Sequence, residues 1–411
     1  MKVIIQKWND TSFILKIVAG LLIGGVLGLT CPSLSFIGLL GKLFVGALKA
    51  LAPILVFFVV AASLCQAKQT QGGIIRNVVF LYAFSTLLAA LLAVACSFIF
   101  PVKMVLTDVT ADVSAAPTNI LEIIQNLILQ MVQNPVAAIA EGNYIGILTF
   151  AILLGLVFKN AKQPTKDLLT DIADNLGKAV AAVIALAPFG IMGIAFSNMA
   201  EGGFETFVSY GQLIVVLAGC ILVQALIINP LIVFFCIRQN PYPLVFYTLR
   251  KSAIYAFFTR SSAANIPVNM EAAAQLGLDP DTYSVTLPLG STVNMDGAAI
   301  VITIMTMATV RTLGIHVDFM TAIVLSILAS VAAAGTSGVA GGSLLLIPLA
   351  CSLFGIPDTV SMQVVGVGFM IGVIQDSMET ALNSSADLLL TAAAEFREWK
   401  KAGKKIPPMP K

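Results

Sequence analysis

Apolar residues run in stretches of about 18 or more, long enough to cross the hydrocarbon layer of a bilayer as single helices. Such runs fall at about 13–31, 37–65, 74–100, 174–199 and 210–237. The stretch 119–160 is broken: an amphipathic piece from Ile120 to Val132, then Asn134-Pro135, then an apolar run from Tyr144 to Phe158. A proline removes a helical hydrogen bond and clashes with the preceding turn, so Pro135 predicts two or three short helical pieces. From about Asn240 the pattern changes. The apolar runs of 244–276 are interrupted by Thr259-Arg-Ser-Ser-Ala-Ala-Asn-Ile-Pro267, and those of 319–353 by Gly335-Thr-Ser-Gly-Val-Ala-Gly-Gly-Ser343. Each half is too short to span alone, which predicts two re-entrant hairpins, at about 241–276 and 317–353. Their nonhelical tips are tolerated at membrane depth only where protein or a water-filled cavity surrounds them. Each hairpin precedes a longer span carrying polar residues: Tyr283 to Leu313, broken at Asn294-Met295-Asp296-Gly297, and Val360 to Ala393. Paired, interrupted segments entering from opposite sides predict an inverted repeat with a substrate site near the midplane.

Composition agrees with the pattern. Of the 411 residues 58% are hydrophobic and 11% charged, with a mean hydropathy of +0.96; an average soluble domain carries roughly 25% charged residues. A net charge of +2 gives no reason to expect a nucleic-acid partner, so the placement of each Lys and Arg matters more. Lys2, Lys7 and Lys16 flank an apolar run from Phe13 to Thr30 that is too long for a signal-peptide core and reads as a retained first span. Lys68, Arg76, Lys159, Lys162, Lys166, Arg238 and the tail from Arg397 fall on one side; Lys103 and Arg311, with Asp108, Asp112, Glu201 and Glu205, fall on the other. That bias predicts a plasma-membrane protein with both termini in the cytoplasm. The six cysteines stand singly with no CxxC spacing and read as small buried hydrophobes. The single histidine, His316, lies in a short connection, which removes His-cluster metal chemistry.

The polar exceptions carry the chemistry. Asp376, Thr380, Asn383 and Asp387 recur at i, i+4, i+7 and i+11, with Glu379 one position off the stripe, so all five share one helix face. Asp296 and Arg260 add two more ionisable groups inside apolar segments. A charge at the bilayer centre costs about 2.5 to 3.5 kcal/mol on insertion scales, so these groups must face one another, water or a ligand. Four carboxylates share one nearby cation, and the surplus calls for protons, metal ions or a cationic ligand group. Asn294 and Asp296 beside Gly297 suit an unwound turn whose freed carbonyls join side-chain oxygens around a hard cation, sodium being the economical choice. Ser261 and Ser262, with the amides at a hairpin tip, would suit a carboxylate.

Thr259 to Pro267, Leu287-Pro-Leu-Gly290, Asn294-Met-Asp-Gly297 and the stripe from Asp376 to Asp387 together resemble the dicarboxylate/amino acid:cation symporter family, which includes the glutamate transporters. The resemblance runs over essentially the whole chain. Gly41 to Pro53, Phe257 to Asn269 and Gly338 to Leu349 are most similar to the bacterial branch that couples serine and threonine to sodium.

The resemblance implies an all-α integral membrane fold of eight transmembrane helices plus two re-entrant hairpins, a homotrimer, and elevator-like movement of a transport domain against a fixed scaffold. It assigns 1–66 and 119–199 to the scaffold, and 74–100 and 205–411 to the moving part, with helix seven at about 281–314 and helix eight at about 360–395. By the same resemblance Asp376 accepts the substrate amino group. Asn383 and the backbone around Ser262 hold the carboxylate, beside Ser261 and Thr380, and Gly338 closes over it. Sodium ligands would be Gly290, Asn294, Asn383 and Asp387 at one site; Thr292, Met295 and Thr336 at a second; Tyr82, Ser85, Thr86, Asn294 and Asp296 at a third. Their number is left open.

The departures bear on the substrate. Acidic-substrate members carry Arg where this chain has Glu379 and Thr where it has Ala298. Glu379 would repel a side-chain carboxylate, and Arg260 is expected to pair with Glu379, so the expected substrate is a small neutral amino acid, serine or threonine first and alanine as an alternative. Two other classes compete. Gly335-Thr-Ser-Gly338 matches a GxSG nucleophile pattern, but a serine protease needs a base beside the serine, and the one histidine lies elsewhere. An ion channel could use the same carboxylates. No enzyme activity is expected.

Overall fold

The structure, a computed structural model, describes residues 12–66, 73–106, 125, 128–203, 205–336 and 341–406. Among them every regular element is a helix, with no strand. The amphipathic piece around Ile120 lies mostly outside the described residues, as do Ser337 and Gly338.

The first group of helices packs through close backbone approach. Helix α1 (Phe13–Thr30) lies against a later helix, Ala187–Gly202, here α7. Gly20, Gly24 and Gly28 recur every fourth residue on α1, so they share one face. A Cβ on them would stand 2.2, 2.1 and 2.4 Å from the carbonyl oxygens of Pro188, Met192 and Phe196. Small residues that let backbones meet are the usual adhesive between membrane helices, because lipid tails are as apolar as the side chains they replace. Helix α2 (Phe36–Gln66) packs against α7, α5 (Tyr144–Phe158) and α6 (Gln163–Ala185). Asn134 caps α4 (Pro135–Glu141), accepting from the amides of Val136 and Ala137, and Pro135 starts that helix as the sequence predicts. The expected single span at 174–199 is instead two helices, α6 and α7, bent by 55° around Leu186. Pro188 opens the first turn of α7, where its missing N–H is harmless, and ends α6.

Helix α3 (Gly73–Ile99) follows α2 in the chain but packs with the last third of the molecule. That third begins with α8 (Glu205–Val223), a π-helical turn at Gln224–Ile228 and α9 (Asn229–Ile237). Two helical arms follow, joined at Arg260–Ser261: Tyr242–Thr259, containing a π-helical turn, and α12 (Ser262–Gln275). Helices α13 (Pro280–Val293) and α14 (Asp296–Thr312) are one apolar segment parted at Asn294–Met295, the break the sequence predicts. Helix α15 (Phe319–Ala333) and the returning Leu344–Ser352 form the second pair of arms. The last helix, α17 (Asp358–Lys401), is 44 residues long and runs past the expected end of its apolar pattern near Ala393. Five helices of the described residues are long and apolar enough to cross a membrane, or six if the bent pair counts as one span. The two groups of helices are tied by an ion pair, Lys49 Nζ to Asp358 Oδ2 at 2.9 Å, from α2 to the start of α17.

Candidate substrate and cation site

The polar stripe of α17 is buried along its length: Asp376, Glu379, Thr380, Asn383 and Asp387 are each at most 6% exposed. Both pairs of arms and the broken helix converge on it.

At its first turn Asp376 meets both arm junctions. Arg260 Nη1 lies 3.9 Å from Asp376 Oδ2, and the Gly341 amide donates to Oδ1 at 3.3 Å. Arg260 holds φ +51 and Gly341 φ +72, left-handed backbone that ends one helical arm and opens the return of the other. The expected pairing of Arg260 with Glu379 is corrected here. Glu379 Oε2 accepts from Ser343 Oγ at 2.8 Å and from Gln375 Nε2. Asp376 is the carboxylate turned toward the Arg260 junction; Glu379, three residues on, is turned toward the returning arm of the second pair. Thr380 Oγ1 donates to its own helix, at the carbonyl of Asp376, 2.8 Å away. Ser261 caps α12, accepting from the Ala264 amide at 3.2 Å, and Ser262 is buried at the head of that helix. Ala298 is fully buried.

One turn further, α17 meets the break in α13–α14. Asn383 Oδ1 accepts from the Gly297 amide at 2.7 Å, and Asn294 Nδ2 donates to Asp387 Oδ1 at 2.9 Å. Asn294 is fully buried and its Oδ1 has no hydrogen-bond partner. A buried acceptor without a donor is costly and uncommon. It stands beside a buried carboxylate that accepts from the same amide, an oxygen-rich setting suited to a hard cation. Gly290 leaves the room: a Cβ there would come 2.8 Å from Asp387 Oδ1 and 2.9 Å from Tyr82 Oη. These residues fit a sodium ion.

Asp296 faces the other way, toward α3. Ser85 Oγ donates to Asp296 Oδ2 at 2.7 Å and Thr86 Oγ1 to Oδ1 at 3.3 Å. Asn229 Nδ2 and Gln224 Nε2 add donors to Oδ2 at 3.1 and 3.4 Å. Thr86 also accepts from the Met295 amide at 3.3 Å, so α3 holds the break at Met295 as well as at Asp296. Ser85, Thr86 and Asp296 therefore meet as grouped, whereas Tyr82 turns to the Thr286 and Asp387 carbonyls at 3.2 and 3.1 Å and to Thr391 Oγ1 at 2.8 Å. Thr292 Oγ1 returns to the Leu289 carbonyl and Thr336 Oγ1 to that of Ala333, leaving each to contribute through its backbone.

Sequence reasoning missed several members. Gln224 and Asn229 lie in the apolar run 210–237, where the insertion-cost argument applied to Asp296 would have singled them out. Asn265 Nδ2 donates to Ser384 Oγ at 2.6 Å and to Ser252 Oγ at 2.8 Å, and Asn269 Nδ2 donates to the Ser384 carbonyl at 2.9 Å. These bonds fasten α12 to α17. The i, i+4 spacing of the two asparagines was the available signal.

A buried polar seam on which two pairs of helical arms and a broken helix converge suits a membrane carrier. The chain belongs to the sodium:dicarboxylate symporter family, whose model matches residues 13–395. It is similar to the serine/threonine transporter SstT of Streptococcus thermophilus strain CNRZ 1066, 51% identical over 402 residues that cover 98% of this chain and all of that protein. The serine/threonine transporter SstT of Streptococcus agalactiae serotype III strain NEM316 is 53% identical over 395 residues, 96% of this chain and 98% of the relative. The protein is thus a multi-pass membrane transporter of a sodium-coupled family, not an enzyme.

Proposed function

We propose that the chain is a symporter that imports small neutral amino acids, serine and threonine first, on an inward sodium gradient. The observation that carries the substrate class is Glu379: a buried carboxylate whose partners are Ser343 and Gln375, with Arg260 committed to Asp376. A substrate side chain ending in a carboxylate would be repelled there, while a hydroxyl could donate to it. Asp376 accepts the substrate ammonium, and the head of α12 at Ser262, with Asn383, takes its carboxylate. Each net charge carried inward across 100 mV contributes about 2.3 kcal/mol, roughly a 50-fold gradient.

Sodium at Asn294 and Asp387 supplies the positive charge that the buried carboxylate lacks. Asn294 orients its oxygen by donating through Nδ2 to Asp387, and Gly290 keeps the space clear. The packing of α1, α2 and α5–α7 chiefly on one another, and of α3 chiefly with the last third, supports a fixed scaffold of 1–66 and 119–199, with 74–100 and 205–411 moving as an elevator. Eight transmembrane helices, two re-entrant hairpins, a homotrimer and cytoplasmic termini complete the reading, resting on the family and on the distribution of basic residues. Substituting Glu379→Arg together with Ala298→Thr tests the pocket in reconstituted vesicles. Serine uptake should weaken and aspartate should begin to compete; an unchanged preference for serine over aspartate would overturn the assignment.

A further inference from the structure

Beyond the transport site, a cavity of about 430 Å³ opens where the end of α3, the segment after it, α8 and the end of α14 meet. Its lining combines two kinds of side chain. Lys103, Arg311 and His316 bring basic groups; Phe98, Phe100 and Met307 bring apolar surface, and no carboxylate is among the described residues that line it. Phe98 and Phe100 are 44% and 59% exposed, as outward-facing apolar residues of membrane helices are. The cavity therefore joins a basic end to a surface built for lipid.

The basic end is held in place. Segment 101–106 is strapped across the helix ends: Ser209 Oγ donates to the Lys103 carbonyl, the Met104 amide to Thr312 Oγ1 at 2.8 Å, and Tyr210 Oη to the Val105 carbonyl at 3.3 Å. Val102 and Met104 of this segment are buried. Lys103 and Arg311 are exposed cations from separate segments, brought to one cavity with no ion-pair partner among the described residues. An arginine fork and a lysine point charge over an apolar shelf match a phosphate carried on acyl chains better than a free anion, which would have no use for the aromatic floor.

We propose that this cavity binds the headgroup of an anionic phospholipid, with Lys103 and Arg311 on the phosphate and Phe98, Phe100 and Met307 against the upper acyl chain. Basic recesses between membrane helices recognise anionic headgroups by this combination of charge and apolar surface. Both cations fall on the side opposite the basic tail, so the lipid would come from the leaflet on that side.

The test uses the purified full chain in detergent with phosphatidylglycerol and phosphatidylcholine at equal concentration, lipid retention being read by native mass spectrometry. Phosphatidylglycerol should be retained about tenfold over phosphatidylcholine. The preference should vanish in Lys103→Gln/Arg311→Gln and survive in Lys103→Arg/Arg311→Lys. Excess inorganic phosphate should not displace it. Equal retention of the two lipids, or preference unchanged in the Gln variant, overturns the proposal; displacement by phosphate overturns the lipid in favour of a free-anion site. Should the Gln variant fail to fold, a photoactivatable phosphatidylglycerol on the wild type decides. Adducts confined to peptides containing Phe98–Lys103 or Met307–Val317 support the site, and adducts only elsewhere refute it.

Discussion

The first group of helices and the last third of the chain share one apolar composition but are held together differently. In residues 12–66 and 128–203, Asn198 is the sole Ser, Thr, Asn, Gln or charged side chain buried among the described residues, and glycines set backbone against backbone. From Gln224 to Glu395 the interior carries a continuous polar seam: Asp296, Asp376, Glu379, Asp387 and the amides and hydroxyls around them. The first arrangement is close-packed and free of desolvated charge, which suits a part that stays still. The second concentrates costly groups whose needs protein partners leave partly unmet, which suits a part that takes up and releases charged cargo.

Replacing Asp296 should break the seam most severely. Asp296→Ala strips four buried donors, on Ser85, Thr86, Asn229 and Gln224, of a common acceptor. A loss of about 3 kcal/mol, or roughly a 100-fold fall in sodium-dependent uptake, is expected, measured in vesicles at matched protein content. A variant transporting at wild-type rate would show that the α3 face of the break is dispensable.

The corresponding change in the first group is Gly24→Ala. Its Cβ would sit 2.1 Å from the Met192 carbonyl oxygen, and backbone cannot step aside as a side chain can. Overpacking of this kind costs about 1–3 kcal/mol. A lowered thermal unfolding midpoint in detergent, with substrate and sodium affinities intact in the surviving protein, is the expected result. Altered affinity at unchanged stability would erase the distinction between the regions.

Gly290→Ala reverses that pattern. The added methyl would press on Asp387 Oδ1 and Tyr82 Oη, so the sodium concentration for half-maximal uptake should rise about tenfold, about 1.4 kcal/mol. Midpoint stability should move less than for Gly24→Ala.

The smallest effect is at Asp318, outside the spanning helices. It caps α15, accepting from the Met320 and Thr321 amides at 2.8 and 3.0 Å and from Thr321 Oγ1 at 2.6 Å. Those bonds, the Thr321 hydroxyl first, hold its carboxyl below the usual aspartate range. A depressed folded value contributes stability that is present above the unfolded value, about pH 4, and is lost as pH falls through the folded one. Asp318→Ala should cost at most about 1 kcal/mol, read as lower hydrogen-exchange protection in α15, and should abolish the further loss of protection there on acidification, measured relative to the intrinsic exchange rate at each pH.

Much of this difference was legible in the sequence. The interruptions at Thr259–Pro267 and Gly335–Ser343, the break at Asn294–Met295 and the stripe from Asp376 to Asp387 are local patterns, set by periodicity and by the cost of charge in lipid. What was not legible is which way neighbouring carboxylates turn. Asp376 and Glu379 are three residues apart, and only the packed arms assign Arg260 to one and Ser343 to the other. The bend at Leu186 was hidden because the apolar run continues unbroken through Pro188. The second layer around Asp296 draws Gln224 and Asn229 from a distant span, a long-range pairing that spacing does not encode.

The most direct test of the central claim is uptake of labelled serine into proteoliposomes holding the wild-type chain under an inward sodium gradient. Uptake should be concentrative, should collapse when sodium is replaced by potassium and in Asp387→Asn, and should be inhibited by threonine but not by aspartate. Serine accumulation indifferent to sodium, or unaltered in Asp387→Asn, would contradict it.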